Sequence, residues 1–297
     1  MPLLKEVSSL SPTSKSYSAV WLQGAACTGC AISLMNSPHP RLSNLLVDDL
    51  VPGQSIRLKF MATLMGGTGE MALEVLDRLA EVEAGYLLIV DGAVPVSEEG
   101  RFCTVGEEAF SDQVARVAKD ALAVINIGTC SSYGGIPAGE PNVTGCVSVS
   151  EHLRGLGLEK PIINVPGCPP EPSWVVDTIA RVMLSGLPSP DDLDKIGRLK
   201  EVYGELVHDN CPRRADFATG HFARNIGDEG CLVEVGCKGP YTNSPCPKRQ
   251  WHDGLNWPVG NNHPCIGCTE PGFPDLMSPF YEKFDMEEAQ GMYRRLK

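Results

Sequence analysis

The chain has 297 residues, of which 42% are hydrophobic, so it is long enough to bury a large core and to form two domains. Its net charge is -12, its sequence pI is about 5.0, and no run of basic residues occurs. Binding to a phosphate backbone depends on clustered Lys and Arg, so this composition argues against nucleic acid as a partner. No stretch reaches the roughly 18 apolar residues of a membrane span.

The first 18 residues are polar and rich in serine, and they contain neither a twin-arginine pair nor an apolar signal core. This composition predicts a flexible N-terminal arm over residues 1–18. The sequence therefore predicts a cytoplasmic protein, or one held at the cytoplasmic face of a membrane by a partner. If an export leader has been removed, the prediction becomes periplasmic.

Between residues 19 and 186, short apolar runs alternate with amphipathic segments, which is typical of a parallel sheet covered by helices. Strands are predicted at 19–22, 56–62, 86–91, 121–127 and 161–165. Helices are predicted at 31–35, 69–83, 111–120, 148–156 and 173–185. The predicted fold class is α/β, with a flavodoxin-like, doubly wound parallel sheet over residues 19–186.

Residues 186–192 read Gly-Leu-Pro-Ser-Pro-Asp-Asp, which ends the last helix and predicts a domain junction. Beyond it the apolar periodicity fades, glycine and proline interrupt the chain, and six of the twelve cysteines occur. Such a segment has too little regular apolar patterning for a conventional core, so metal clusters are expected to cross-link it. Residues 187–297 are therefore predicted to form a smaller, irregular domain that binds metal clusters.

Four cysteines of the first half each follow the carboxyl end of a predicted strand. Cys27 and Cys30 enclose a Thr-Gly pair, Cys130 lies about 100 residues further on, and Cys168 lies within Pro-Gly-Cys-Pro-Pro. Ligands bind at this edge of open α/β sheets, so the four are expected to converge as a first set. Four thiolates match a 4Fe-4S cluster. A redox dithiol or half a zinc site also contains Cys-x-x-Cys, but a redox dithiol leaves Cys130 and Cys168 unexplained.

A second set combines one histidine with three cysteines: His208, Cys211, Cys231 and Cys237. A structural zinc site has the same residue types, so zinc and an iron-sulfur cluster both remain open at this point.

A third set contains Cys246, Cys265 and Cys268, without a fourth cysteine. Three thiolates suit a 3Fe-4S cluster, whereas a closed zinc site needs four ligands. His252 or His263 could complete such a zinc site, so zinc remains open here as well.

Two cysteines belong to no set, and no catalytic group stands out. Cys103 and Cys146 are interpreted as small buried apolar residues. Neither a Ser-His-Asp arrangement nor a pair of carboxylates with catalytic spacing appears, so no catalytic residue is predicted in this chain.

These motifs resemble those of the small, electron-transferring subunit of nickel-iron hydrogenases. The resemblance extends from about Val20 to Tyr281, nearly the whole chain. It rests on Trp-Leu-Gln-Gly at 21–24, Cys-Thr-Gly-Cys at 27–30, Gly-Thr-Cys-Ser-Ser-Tyr-Gly-Gly at 128–135, Pro-Gly-Cys-Pro-Pro at 166–170, Gly-Cys-Lys-Gly-Pro at 236–240 and His-Pro-Cys-Ile-Gly-Cys-Thr-Glu-Pro at 263–271.

The resemblance implies a relay of two 4Fe-4S clusters and one 3Fe-4S cluster. The first set would hold the proximal 4Fe-4S cluster, the third set the medial 3Fe-4S cluster and the second set the distal 4Fe-4S cluster. The nickel-iron centre would belong to a separate large subunit, in a heterodimer or a dimer of heterodimers. Electrons would pass to a redox protein or a quinone-linked acceptor.

Three positions depart from branches of this family. Gly29 and Gly135 occupy the places where oxygen-tolerant relatives carry two extra cysteines, which implies a standard, oxygen-sensitive proximal cluster. Pro258 stands where the nickel-iron-selenium branch usually has a fourth medial cysteine, which favours the 3Fe-4S form.

Three alternatives accompany this interpretation. The same pair of subunits could sense hydrogen rather than feed respiration. An iron-sulfur relay subunit of a respiratory dehydrogenase shares the proximal fold, but it typically has adjacent cysteines and lacks a second cluster domain. A zinc-stapled interaction protein would contain zinc and little iron.

Overall fold

A computed structural model of the protein describes residues 15–39, 41, 44, 54–82 and 85–283. Its strands are β1 (Lys15–Gln23), β2 (Gln54–Met61), β3 (Leu87–Asp91), β4 (Val94–Pro95), β5 (Thr104–Val105), β6 (Glu108–Ala109), β7 (Ala123–Ile127), β8 (Cys146–Val147) and β9 (Ile162–Val165). Its α-helices are α1 (Gly29–Met35), α2 (Glu70–Val82), α3 (Phe110–Ala118), α4 (Thr129–Tyr133), α5 (Val149–Gly155), α6 (Pro172–Ser185), α7 (Lys200–Tyr203), α8 (Arg214–Thr219) and α9 (Cys246–Arg249).

Single turns of 3-10 helix complete the secondary structure. They lie at Ser97–Gly100, Ile136–Ala138, Pro190–Asp192, His208–Asn210, Leu232–Val235, Gly239–Tyr241, Val259–Asn261 and Asp275–Met277.

Five parallel strands form the central sheet in the order β2-β1-β3-β7-β9. Counted along the chain, this is the order 2-1-3-4-5 of the flavodoxin-like fold, so the predicted fold class is confirmed. β3 and β7 are buried along their whole length, as expected for central parallel strands covered on both faces.

Helices cover both faces of the sheet. Trp21 of β1 packs in one apolar cluster with side chains of α1 and α6, including Trp174. Leu22, the next residue, packs in the opposite cluster with α2, α3 and α5, including Phe110. Successive side chains of a strand point to opposite faces, so the apolar run of β1 fills both layers of the core.

The predicted strands and helices of the first half are all present, although β1 begins earlier than predicted and the short elements β4, β5, β6, β8 and α4 were not predicted. β1 begins at Lys15 rather than at residue 19, because residues 15–18 pair with β2 and Tyr17 is buried. The rest of the predicted arm, residues 1–14, lies outside the described residues. α4 was not predicted, since five residues are too short to show a helical period.

The predicted junction at 186–192 does not end the first core. Leu199, Val202 and Tyr203 are buried in the same cluster as Trp174. The Tyr203 hydroxyl donates to the carbonyl of Pro166 at 2.9 Å, and its ring lies edge-on to Trp174 with 5.8 Å between centroids. Gly and Pro therefore mark a turn at this point, and packing on the sheet continues to about residue 203.

The second half is irregular, as the fading periodicity predicts. Its small apolar cluster includes Val207, Leu232 and Trp257; Cys237 is a member of it, and Cys211, Cys246 and Cys265 pack against it. Throughout the part of the chain that the structure describes, no helix combines the length and apolarity needed to cross a membrane.

Candidate metal-cluster sites

The four cysteines of the first set meet at the carboxyl edge of the sheet. Cys30 lies in the first turn of α1, Cys130 lies in the first turn of α4 directly after β7, and Cys168 lies in the loop after β9. The Cys30 thiol interacts electrostatically with those of Cys27, Cys130 and Cys168. The structure therefore brings together residues that lie up to 141 positions apart, from Cys27 to Cys168.

The loop that carries Cys27 is fixed by Gln23, the last residue of β1. The Gln23 amide donates to the hydroxyl of Thr28 at 2.9 Å, and Thr28 adopts a left-handed conformation with φ of 64°. Two glycines make room for the thiols. A Cβ at Gly128 would lie 2.4 Å from the Cys30 sulfur, and one at Gly135 would lie 3.0 Å from the Cys130 sulfur. Both glycines have positive φ, which suits glycine best.

The donor chemistry of the first set fits a cationic metal centre. Burial raises the pKa of Cys30, and Asp91 and the neighbouring thiols raise it further. Burial, and then Cys168, raise the pKa of Cys130 to about 12, and burial also raises the pKa of Cys168. Metal binding requires thiolates, and four thiolates at such close range need positive charge to compensate them. Iron in a cluster would supply that charge.

Asp91 is a buried carboxyl beside the first set that sequence analysis missed. It ends β3, it has no exposed surface, and its Oδ1 accepts a hydrogen bond from the Trp21 indole at 3.0 Å. Within the described residues, its Oδ2 has no hydrogen-bond partner. Burial raises the pKa of Asp91 to about 6. Its position at the end of a strand, like that of the cysteines, was the available signal.

The Asp91 carboxyl predicts a pH dependence of stability. A folded pKa raised from 3.8 to about 6 stabilises the fold below the unfolded pKa, and this contribution is lost as the pH rises through the folded value. Asp91→Asn keeps the acceptor for Trp21 and removes the ionisation. We expect its advantage over the wild type to grow by about 1–2 kcal/mol between pH 5 and pH 8. Thermal unfolding at both pH values measures this, and parallel pH profiles would contradict it.

All four members of the second set line one cavity. Its walls include His208, Cys211, Cys231 and Cys237, together with Val207 and Leu232. Burial raises the pKa of Cys237 to about 11, and it also raises the pKa of Cys211 and Cys231. Burial, and then Arg214, lower the pKa of His208. A lowered pKa favours the neutral imidazole, which is the form that binds metal.

All three cysteines of the third set line a second cavity, of about 250 Å³. Cys246, Cys265 and Cys268 share this cavity with Pro258 and His263. Burial, and then Cys246, raise the pKa of Cys268 to about 12. His263 is one of the two histidines considered as a fourth zinc ligand. Pro258, which stands where one branch of the family usually has a fourth cysteine, forms part of the cavity wall.

Across the described residues, no three His, Cys, Asp or Glu side chains converge closely enough to hold a single metal ion. An iron-sulfur cluster distributes its cysteine ligands over separate irons, so it does not require convergence on one ion. The three sets therefore differ in geometry from a compact single-ion site.

The third set lies between the other two. The backbone N–H of Cys265 donates to the sulfur of Cys237, in the second set, at 3.3 Å. The thiol of Cys268 interacts electrostatically with that of Cys168, in the first set, and the Cys268 carbonyl accepts from the hydroxyl of Thr129, which precedes Cys130. A chain of direct contacts thus connects the first, third and second sets in that order.

The two remaining cysteines lie outside these sites. Cys146 is 3% exposed, which agrees with its interpretation as a small buried residue, whereas Cys103 is only partly buried. Burial raises the pKa of both thiols.

A buried ion pair that sequence analysis missed joins the segment that packs on the sheet to the irregular second half. Arg198 is 1% exposed and Glu270 is fully buried. The Arg198 guanidinium donates to Glu270 at 3.0 Å and to Asp194 at 2.7 Å. Glu270 follows Cys268 by two residues, so this pair ties the third set to the segment that packs on the sheet.

The flavodoxin-like sheet and the three connected, cysteine-lined sites define a redox protein of the iron-sulfur class. Comparison with known proteins identifies its family. Residues 203–281 match the family model for the C-terminal domain of the NiFe/NiFeSe hydrogenase small subunit, and residues 27–182 match that for the 20 Kd subunit of NADH ubiquinone oxidoreductase. The chain belongs to the small-subunit family of nickel-iron hydrogenases.

Individual relatives agree with this assignment. The chain is 41% identical to the periplasmic [NiFeSe] hydrogenase small subunit of Desulfomicrobium baculatum, over 93% of this chain and 90% of the relative. It is also 41% identical to the periplasmic [NiFe] hydrogenase small subunit of Solidesulfovibrio fructosivorans, over 90% and 82%. A crystal structure of the D. baculatum enzyme superposes with a TM-score of 0.84, covering 91% of this chain and 99% of that one.

This membership confirms several predictions. The protein is a subunit of an oxidoreductase, its partner is the hydrogenase large subunit, and the catalytic site lies on that partner. The respiratory alternative explains the match over residues 27–182, but not the hydrogenase-specific match over residues 203–281.

Proposed function

We propose that this chain relays electrons between the nickel-iron centre of the large subunit and an external acceptor. The first set, Cys27, Cys30, Cys130 and Cys168, would hold a proximal 4Fe-4S cluster. The third set, Cys246, Cys265 and Cys268, would hold a medial 3Fe-4S cluster, and His208, Cys211, Cys231 and Cys237 would hold a distal 4Fe-4S cluster. The observation that carries this proposal is the chain of contacts from the first set through the third to the second.

The residues present fit such clusters chemically. Each site offers several sulfur donors, and the second set adds an imidazole whose lowered pKa favours the neutral form. When bound, each cluster supplies a centre that gains and loses one electron. The protein itself would fix the separation of the sites and set the polarity around them, which tunes the reduction potentials.

Three further features are proposed: the compartment, the electron acceptor and the assembly. Relatives that are 41% identical are named as periplasmic enzymes, so we propose the periplasm rather than the cytoplasm as the compartment. The acceptor is proposed to be a redox protein or a quinone-linked carrier that approaches the second set. The assembly is proposed to be a heterodimer with the large subunit, or a dimer of such heterodimers.

Metal analysis of the anaerobically purified complex tests the relay. We expect about eleven irons per small subunit beyond the nickel-iron centre of the partner, with matching sulfide and a 3Fe-4S electron paramagnetic resonance (EPR) signal after mild oxidation. Zinc in place of iron, with no such signal, would leave the fold standing and remove the function. Slow turnover together with a kinase partner would favour the hydrogen-sensing alternative.

A proline in the wall of the third cavity predicts that this cluster can be converted. Pro258 lines the same cavity as the three cysteines. Pro258→Cys offers a fourth thiolate, so we expect about one additional iron per complex and loss of the 3Fe-4S EPR signal. Pro258→Ala removes the ring without adding a ligand, and it should keep the signal. An unchanged signal in an intact Pro258→Cys complex would contradict the assignment of this site.

A further inference from the structure

Thr129 is a buried threonine at the point where the first and third sets meet. It is 1% exposed, and it directly precedes Cys130 of the first set. Its hydroxyl donates to the carbonyl of Cys268, a member of the third set. The same hydroxyl accepts from the backbone N–H of Gly167, the residue before Cys168, at 3.0 Å. Thr129 therefore joins its own segment, which carries Cys130, to the segments that carry Cys168 and Cys268.

The backbone of Thr129 strengthens this connection. Its N–H donates to the carbonyl of Gly167 at 3.0 Å, so residues 129 and 167 form a reciprocal pair. A hydroxyl has one donor hydrogen and two acceptor positions. Here the hydrogen is directed to the third set and one acceptor position to the first. An apolar side chain of the same shape would remove both bonds and leave buried backbone groups without a partner.

The contact between the third and second sets has a different construction. It includes two backbone donors: the N–H of Cys265 donates to the sulfur of Cys237 at 3.3 Å, and the N–H of Lys238 donates to the carbonyl of Cys265 at 2.7 Å. The contact between the first and third sets therefore depends on a side chain that can be replaced without removing a proposed ligand.

We propose that Thr129 is a positioning residue of the relay. Its hydroxyl holds the Cys268 segment against the segments of Cys130 and Cys168, and it thereby fixes the separation of the proximal and medial clusters. The first set would hold a proximal cluster that donates one electron, and the third set would hold a medial cluster that accepts it. The rate of such a transfer falls steeply with distance, so a small displacement of the Cys268 segment slows it. This inference rests on the proposed function.

The test compares Thr129→Val with Thr129→Ser in the purified heterodimer. Valine keeps the shape and loses the hydroxyl, whereas serine keeps the hydroxyl. We expect the valine variant to show a several-fold lower ratio of hydrogen-dependent dye reduction to hydrogen-deuterium exchange, because exchange at the large subunit requires no relay. We also expect a shifted potential for the medial EPR signal, and restoration of both by serine.

Thr178→Val is the matched control. Thr178 is fully buried and donates to the Trp174 carbonyl within α6 at 2.8 Å, away from the contacts that join the sets. The Thr178→Val variant should leave unchanged both the ratio of dye reduction to exchange and the potential of the medial EPR signal. If Thr129→Val keeps its iron and gives the same ratio and the same potential as the wild type, the inference is overturned.

Loss of iron from the Thr129 variants can also be interpreted. If Thr129→Val loses iron, Thr129→Ala is measured in the same way, since alanine introduces no new bulk. Loss of iron in both, with retention in Thr129→Ser, supports positioning by the hydroxyl, whereas loss in all three overturns it. Absence of a 3Fe-4S signal from the wild type would instead count against the proposed function.

Discussion

Replacing Cys130 with serine is expected to remove the proximal cluster and to abolish hydrogen-dependent dye reduction. Cys130 lies at the start of α4, and its thiol interacts with that of Cys168. A serine hydroxyl is a harder and much less acidic donor than a thiol, so it binds iron poorly. About four of the roughly eleven irons should be lost. Because the proximal site is the proposed entry to the relay, electrons from the large subunit would have no path.

Iron and sulfide analysis, co-purification of both subunits and dye reduction measure this outcome. Cys103→Ser is the matched control, because Cys103 is a partly buried free cysteine outside the three sets. It should keep the iron content, the assembly and the activity. A Cys130→Ser complex with full iron content and activity would contradict the assignment of the first set.

The second large effect is expected from Glu270→Leu. Glu270 is fully buried, and it accepts from the Arg198 guanidinium at 3.0 Å and from the backbone N–H of Asn243 at 2.6 Å. Removal of the carboxylate leaves a buried guanidinium with only Asp194 to compensate it. Breaking a buried pair in this way typically costs about 3–5 kcal/mol. We expect a loss of about 3 kcal/mol in the apparent free energy of unfolding, since Asp194 remains.

Anaerobic denaturation of the purified complex measures this loss. Glu205→Gln is the control, because Glu205 pairs with Lys248 at an exposed surface, where water and salt screen the charges and the pair contributes little. A second variant removes both partners, Arg198→Met with Glu270→Leu, and it should recover part of the stability because no unpaired buried charge remains. Equal stability of Glu270→Leu and Glu205→Gln would show that the pair contributes little.

Family membership and the identity of the clusters rest on different observations. Membership in the hydrogenase small-subunit family follows from identity over nearly the whole chain. The types and number of the clusters remain proposals, which the metal analysis and the Cys130 and Pro258 variants test separately. The Thr129 variants then test how two of the proposed sites are held together.

Features that depend on local pattern could be predicted from the sequence alone. Five apolar runs predicted the five strands of the sheet, because buried parallel strands are apolar along their length. Cysteines at the ends of three of these runs predicted that the first set would converge, because the carboxyl ends of parallel strands share one edge. The structure also places each of the other two sets around a single cavity.

Features that depend on contacts between distant segments could be seen only in the folded structure. Packing of Tyr203 against Trp174 extends the first core past the predicted junction, and no local signal marks that contact. Asp91, Thr129 and the Arg198–Glu270 pair have no distinctive spacing in the sequence. Their roles arise from burial and from hydrogen-bond partners up to 139 residues away, as for Thr129 and Cys268. Such partners become neighbours only when the sheet and the irregular second half pack together.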